Sequence, residues 1–491
     1  MPDLGQILDG VRILETNAGG AIQVSSLSLD SRTAREGTLF FAVRGLGEDR
    51  QRFIPDAVKN GCAAVVCEEK PEAAAPYILV ENARAAMAVI SANFYGNPAK
   101  KLKIIGVTGT NGKTTVTNLI KHMIESLTGK PAGLIGTNRN MVGETEIPAT
   151  GTTPESPELH ALFAKMTVEG CEYCVMEVSS HSLAVNRVDG IRFHVGVFTN
   201  LTQDHLNYHE TMDNYAQAKA RLFTQCDYGV VNLDDKYAAA VMSGAVCPIK
   251  TFAAQDDGAD IVAKRVKLYP SMVRFSVLTT GSILEAQLNI PGLFSVYNAL
   301  AAILAVRLCG FALEETVRAL SSCGGVLGRA EVVPTGEDFM VIIDYAHTPD
   351  ALENILTALR GGGAKRIVTL FGCGGDRDAA KRPIMGEIAG RLSDEVIVTS
   401  DNPRTEQPEA IIADIVAGMT ESAAPYTVIP SRREAIICAV GNAQVGDTIL
   451  LAGKGHETYQ IIGREAFRFD EREVVAEAIA LRAGRICAGT V

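Results

Sequence analysis

The sequence predicts an α/β protein of about three domains built on mainly parallel sheets. Short apolar, β-branched runs alternate with helical patterns through most of the 491 residues. Residues 105 to 115 read Ile-Gly-Val-Thr-Gly-Thr-Asn-Gly-Lys-Thr-Thr, a glycine-rich loop set between a strand and a helix. Several polar clusters directly follow apolar runs, as expected where ligands gather at the carboxyl ends of parallel strands.

Composition narrows the class. Hydrophobic residues make up 47% of the chain, enough for sizeable cores, and the net charge of −11 disfavours nucleic acid as a partner. The run Ala299 to Leu313 is too short to span a bilayer and is broken by Arg307. The start, Met-Pro-Asp-Leu-Gly, lacks the basic and apolar regions of a secretory leader, so the expectation is a cytoplasmic protein with no membrane insertion. Eleven scattered cysteines fit reduced thiols. Cys171 and Cys174 form a single Cys-x-x-Cys in an apparent strand and read as core thiols.

Taken in order, β-like runs at Val24 to Leu29, Thr38 to Val43 and Ala63 to Cys67 fill the first hundred residues. The turn Tyr-Gly-Asn-Pro, residues 95 to 98, with Lys100, Lys101 and Lys103 after it, reads as a linker. A first domain is therefore expected at 1–101. Alternating strands and helices follow, with strands at Leu102 to Val107, Tyr173 to Val178, His194 to Phe198 and Gly229 to Leu233. Gly324-Gly325-Val326-Leu327-Gly328 closes that domain, expected at 102–328. The last, 329–491, carries strands at Met340 to Ile343, Arg366 to Phe371, Glu395 to Val398 and Thr448 to Ala452.

The phosphate-binding logic of the loop is physical. Gly109 and Gly112 allow backbone N–H groups to turn toward a phosphate, with Thr110 and Asn111 between them. Lys113, the Thr114 hydroxyl and the helix dipole complete a cradle for ATP and Mg²⁺, with Thr115 next in line. The strict pattern is not met, since position 107 is Val and the upstream glycine is Gly106.

Three clusters lie downstream. Glu177, in Met-Glu-Val-Ser-Ser-His, sits in an apolar strand where an unpaired carboxylate is costly. It calls for a cation: Mg²⁺ beside the phosphate loop, or alternatively a structural salt bridge. His205, in Thr-Asn-Leu-Thr-Gln-Asp-His, can ligate a metal or simply hydrogen-bond its loop. Lys219, in Tyr-Ala-Gln-Ala-Lys, taken alone is a solvated helix lysine.

Together these motifs resemble the Mur ligases, the ATP-dependent amide-forming enzymes of peptidoglycan synthesis. Tyr297-Asn298-Ala299, Gly328-Arg329-Ala330-Glu331 and Asp344-Tyr345-Ala346-His347-Thr348-Pro349 extend the resemblance over essentially the whole chain. It implies a small N-terminal α/β substrate domain, a central P-loop ATPase domain and a C-terminal Rossmann-like domain. It further implies that Lys219 is carbamylated, so that an anion helps organise a second Mg²⁺. Asn298, Arg329, Asp344 and His347 would hold the nucleotide or close the third domain over it. Read without the resemblance, Asn298 is a helix cap, Arg329 a linker cation, and Asp344 with His347 a polar strand end.

The same resemblance implies the substrates. Leu29-Asp30-Ser31-Arg32 looks like a uridine-nucleotide contact through Leu29 and Ser31, and Leu46-Gly47-Glu48 aligns with a further substrate loop whose residues differ. Thr152, Thr153, Ser179 and Arg187 match positions near a muramoyl peptide, which makes UDP-N-acetylmuramoyl-L-alanyl-D-glutamate the implied acceptor. Asp401-Asn402-Pro403-Arg404 marks addition of meso-2,6-diaminopimelate, because a fixed guanidinium can take the distal carboxylate through two parallel hydrogen bonds. Arg377, Gly453 and Glu457 resemble the rest of that amino-acid site, with Glu457 facing an ammonium. An L-lysine-adding enzyme and a non-catalytic nucleotide-binding scaffold are the alternatives.

Overall fold

The computed structural model describes residues 1–44, 50–72, 74–419 and 424–488. They form two compact units, Met1–Ile261 with Ala301–Thr316, and Val262–Leu300 with Val317–Val491.

The first unit opens with strands β1 (Ile13–Thr16), β2 (Ser26–Ser28), β3 (Thr38–Phe41), β4 (Ala64–Cys67) and β5 (Tyr77–Val80), ordered β1-β5-β4-β3-β2. Only β1 runs antiparallel to its neighbour. β3 and β4 are wholly buried because apolar clusters cover both faces. Leu39, Phe41 and Val66 point into one cluster, while Phe40, Val65 and Cys67 point into the other. The period-two alternation of a strand thus serves two cores, which is why the sequence reads as unbroken apolar runs.

The turn at 95–98, with Asn97 in the left-handed region, leads through a short 3₁₀ segment into the second sheet. Its strands are β6 (Lys103–Thr108), β7 (Gly133–Ile135), β8 (Asn140–Val142), β9 (Thr145–Ile147), β10 (Tyr173–Glu177), β11 (Phe193–Phe198), β12 (Cys226–Asn232) and β13 (Ile249–Ala253). They run in the order β13-β12-β11-β6-β10-β7-β8-β9, parallel as far as β7. β8 and β9 add antiparallel strands at one side. With β10 and β11 flanking β6, the ends of all three central strands open on one region. A Cβ on Gly106 would lie 2.7 Å from the Phe193 ring. Gly106 is therefore a packing glycine within β6, which accounts for the departure from the strict loop pattern.

The second unit begins with an antiparallel meander, β14 (Ile261–Leu268), β15 (Val273–Thr279) and β16 (Ser282–Leu288). It interrupts the strand–helix alternation expected up to residue 328. The polar positions Lys264, Arg265, Lys267, Glu285 and Gln287 fall on its less buried faces. The following sheet contains β17 (Glu331–Val333), β18 (Met340–Asp344), β19 (Arg366–Phe371), β20 (Glu395–Val398), β21 (Tyr426–Val428) and β22 (Asp447–Ala452). Its order is β17-β18-β22-β19-β20-β21, parallel except for β17. A hairpin, β23 (Tyr459–Ile462) and β24 (Glu465–Arg468), stands beside it. Among the described residues no helix is long and apolar enough to cross a membrane.

Candidate active site

β6 ends at Thr108, and the loop turns directly into the helix Lys113–Thr128. Gly109 has φ of 150°, and a Cβ there would lie 1.9 Å from Thr199 Oγ1. Only glycine allows this approach of loop to neighbouring strand end. The loop is fastened to the segment after β11: Asn111 N donates to Asn200 Oδ1 at 2.9 Å, and the Thr199 hydroxyl to Asn111 O at 2.6 Å. Thr110 Oγ1 lies 3.2 Å from both Thr202 O and the Tyr215 hydroxyl. Lys113 folds back so that Nζ donates to Gly109 O and Thr110 O, each at 2.9 Å. The ammonium is thereby carried over the loop's concavity.

Glu177, at the end of β10, is buried at 1% exposure. Three donors from the protein surround its carboxylate. The Thr114 hydroxyl donates to Oε1 at 2.9 Å, Thr137 N to Oε1 at 2.9 Å, and the Thr137 hydroxyl to Oε2 at 3.0 Å. Hydrogen bonds thus offset the desolvation that made a bare carboxylate implausible. Thr137 was not foreseen, because its role arises only when β7 lies beside β10. Thr115 is buried in the same helix.

A ring cluster borders the loop. His181 stands 4.8 Å from His205 and 5.5 Å from His209, centre to centre, and His209 stacks on Tyr215 at 4.9 Å. Desolvation, aided by His205 and His209, drives His181 down to about 4. His205 is exposed, has a left-handed backbone with φ of 54°, and its Nε2 lies 3.3 Å from Asp204 Oδ2. Partial desolvation of its half-covered ring lowers its pKa, against the opposing pull of Asp204. Lys219 is 1% exposed, so the solvated reading fails. Its Nζ sits over the Tyr215 ring at 4.4 Å. Desolvation first, and Lys113 second, push this amine far below the ordinary lysine value.

The muramoyl-site candidates Thr152, Thr153, Ser179 and Arg187 gather near the end of β10. Thr153 is buried, with its hydroxyl donating to Glu177 O at 2.9 Å and accepting from Ser179 N at 3.0 Å. Thr152 Oγ1 lies 3.1 Å from the Thr137 hydroxyl oxygen. Ser179 caps the helix Ser180–Ala184 by accepting from Ser182 N. Arg187 donates to Thr153 O at 2.8 Å and pairs with Glu155 at 2.9 Å, and Glu155 also pairs with Arg84 at 3.1 Å. Leu29 and Ser31 lie apart from these, after β2. Asp30 caps the short turn Ser31–Thr33 and holds Arg32, which pulls the Asp30 carboxyl down to about 2. Leu46-Gly47-Glu48 lies outside the described residues.

In the second unit, Asn298 is buried within the helix Leu293–Leu308, not at its cap. The Arg329 guanidinium stacks over Tyr345 at 4.8 Å, and Asp344 Oδ2 accepts from Ala330 N at 2.6 Å. Burial raises the Asp344 carboxyl against the opposing charge of Arg329. His347 Nδ1 meets Tyr345 O at 2.8 Å, and Lys381 donates to His347 O at 2.6 Å.

The tetrapeptide 401–404 follows β20, and the glycine-rich segment 453–457 follows β22. Arg404 has φ of 51°, and its backbone is pinned by the hairpin: Arg404 N donates to Ile461 O at 3.1 Å, and Gly463 N to Arg404 O at 2.7 Å. Its Nη1 donates to Gly375 O at 2.8 Å, beside the exposed Arg377. Pro403 is buried, and Gly453 faces Asp401, whose Oδ2 lies 2.8 Å from the glycine's Cβ position. Asn402 Nδ2 donates to Glu457 Oε2 at 2.8 Å. Lys454, which the sequence did not single out, donates to the same oxygen at 3.0 Å. Cys171 and Cys174 are buried free thiols, as expected.

Comparison with known proteins sharpens this picture. Residues 107–306 match the family described as Mur ligase middle domain, and residues 328–455 match Mur ligase, glutamate ligase domain. A UDP-N-acetylmuramoyl-L-alanyl-D-glutamate--2,6-diaminopimelate ligase of Caldanaerobacter subterraneus subsp. tengcongensis is 49% identical over 97% of this chain and 99% of its own length. A Clostridium acetobutylicum relative with the same activity in its name is 46% identical over 93% of this chain and 95% of its own. A solved structure carrying that activity in its title superposes with a TM-score of 0.72 at 33% identity, covering 98% of this chain and 99% of that one.

Proposed function

The chain belongs to the Mur ligase family, and on that premise we propose that it joins meso-2,6-diaminopimelate to UDP-N-acetylmuramoyl-L-alanyl-D-glutamate at the expense of ATP. The observation that carries this reading is the end-to-end likeness to relatives named for that addition. Arg404 supplies the chemical reason. Diaminopimelate is lysine bearing one more carboxylate, and a guanidinium left unpaired in a closed site penalises lysine. We assign three domains at 1–101, 102–328 and 329–491, and a cytoplasmic location.

In the proposed reaction, the D-glutamyl γ-carboxylate attacks the ATP γ-phosphorus and ADP leaves, giving an acyl phosphate. The free amine of diaminopimelate then attacks the acyl carbon, phosphate is expelled, and a proton is lost from nitrogen. Activation is needed because a carboxylate is a poor electrophile. Lys113 would leave its two loop carbonyls for the phosphate oxygens and offset charge as the phosphoryl group transfers. The backbone of Gly109, Thr110, Asn111 and Gly112 orients the phosphates.

Mg²⁺ would fit the adjoining oxygens of Thr114 and Glu177, hard donors 2.9 Å apart. When bound it would neutralise phosphate charge. His205 and Lys219 are the further candidate ligands. The buried, depressed amine of Lys219 suits capture of CO₂, which forms an N–C bond and releases a proton to leave a carbamate anion.

The decisive experiment measures phosphate release with ATP, the UDP-muramoyl dipeptide and a panel of amino acids. Release dependent on meso-diaminopimelate is expected. Preference for L-lysine, or no turnover with any amino acid, would overturn the assignment.

A further inference from the structure

The side chain of Lys454 is fully buried, with 0% exposure, between the two segments that build the proposed amino-acid site. Burying a lysine ammonium is costly unless it is paired and hydrogen-bonded. Here Nζ donates to Asn402 Oδ1 at 3.1 Å and to Glu457 Oε2 at 3.0 Å, and it lies 5.7 Å from the centre of the Tyr459 ring. The lysine therefore clamps the tetrapeptide to the glycine-rich segment.

The clamp has a direction. Asn402 Oδ1 accepts from both Lys454 Nζ and Ile461 N, the latter at 2.9 Å. Two donors on one side of the amide fix its flip, so Nδ2 must face Glu457. Both bonds to Glu457, from Asn402 and Lys454, converge on Oε2. The second carboxylate oxygen, Oε1, stays available to a substrate ammonium. Without Lys454, the Asn402 amide keeps only the Ile461 donor on Oδ1, and Glu457 Oε2 keeps only the Asn402 donor, so the carboxylate is less firmly held.

Resting on the proposed function above, we infer that Lys454 is a positioning residue of the amino-acid site. It adds a second donor to Asn402 Oδ1 and to Glu457 Oε2, and so presents Glu457 Oε1 to the ammonium group of the incoming diamino acid. It does not itself touch substrate. Its contribution is to the geometry of a carboxylate whose charge alone would attract many cations.

The test compares Lys454→Met, Glu457→Gln and the double variant with the full-length wild type. KM is measured separately for meso-diaminopimelate, ATP and the UDP-muramoyl dipeptide. Lys454→Met should raise KM for meso-diaminopimelate by about tenfold or more, the range expected for losing hydrogen bonds to a charged group. The other two KM values should move less than about twofold. The double variant, which also removes the stranded carboxylate charge, should be no worse than about threefold from Glu457→Gln alone, because both changes act through one group.

Equal weakening for all three substrates, or multiplicative effects in the double variant, would overturn the inference. If Lys454→Met does not fold, the double variant supplies the comparison. Failure of both to fold would make the role purely structural and also overturn it. The function reading is judged separately, since wild type that ignores meso-diaminopimelate defeats that reading whatever Lys454 does.

Discussion

Lys219 Nζ and the Tyr215 ring centre lie 4.4 Å apart on one turn of the helix Met212–Ala220, with both side chains buried. Desolvation first, and the positive charge of Lys113 second, push this amine well below the ordinary lysine value, against the opposing pull of Asp204. Neutral amine is the form that adds CO₂. The same burial that rules out a solvated ammonium is what the proposed carbamate would need.

Lys219→Ala should be nearly inactive, and short carboxylic acids should restore part of the rate by supplying an anion in the emptied space. Lys219→Arg should fail despite keeping positive charge. Turnover assays with and without added acetate or formate check this, and a fully active Lys219→Arg would remove the carbamate from the mechanism.

Lys113→Ala should leave thermal unfolding little changed, because the side chain bonds to loop carbonyls and not into a core cluster. Phosphate release should fall on the order of a thousandfold or more, corresponding to several kcal/mol of transition-state stabilisation. Near-normal turnover would show that another group offsets the phosphoryl charge.

Arg404→Ala should weaken use of meso-diaminopimelate by roughly 2–4 kcal/mol, the scale of a charge-assisted pair in a closed site. L-Lysine, lacking the distal carboxylate, should be used as poorly as before or slightly better. The measurement is kcat/KM for both amino acids. An unchanged ratio would show that Arg404 does not read that carboxylate.

His160 carries a pH signature of its own. It is 2% exposed in the helix Ser156–Val168, edge-on to Phe163, and desolvation depresses it to about 4. Between that value and 6.5 the unfolded chain binds the extra proton and the folded chain does not. The stability this histidine contributes is therefore complete above 6.5 and declines as pH falls toward 4. His160→Leu should flatten that acid limb by about 2–3 kcal/mol in denaturant titrations run across the window. A limb of unchanged slope would place the acid sensitivity elsewhere.

Much of this was legible in the chain. Strands β3, β4, β10, β11, β19, β20 and β22 fall close to the apolar runs that announced them, since both faces of each serve a core. The short strands β1, β7, β8 and β9 left no comparable run. The meander β14–β16 was hidden because its polar faces break the apolar pattern, and its antiparallel course has no local signature beyond period two. The strand–loop–helix course around residues 103–128 was readable from the motif, as was the place of Glu177 at a strand end. Thr137 was not, since a threonine after a three-residue strand says nothing until β7 lies against β10. Lys454 reads from the sequence as an ordinary loop lysine, and only its burial and its bond to Asn402 show that it joins two segments.

Arg404 occupies φ of 51°, a conformation that glycine adopts freely and that costs an ordinary L-residue on the order of 1 kcal/mol. If Arg404 reads the distal carboxylate as proposed, durability and discrimination pull in opposite directions at this position. A search for heat-resistant variants that ignores which amino acid is added would drift toward glycine here, gaining backbone ease while losing the guanidinium. Screens for a hardier enzyme should score product identity alongside survival, because this is a place where a tougher protein can become a less choosy one.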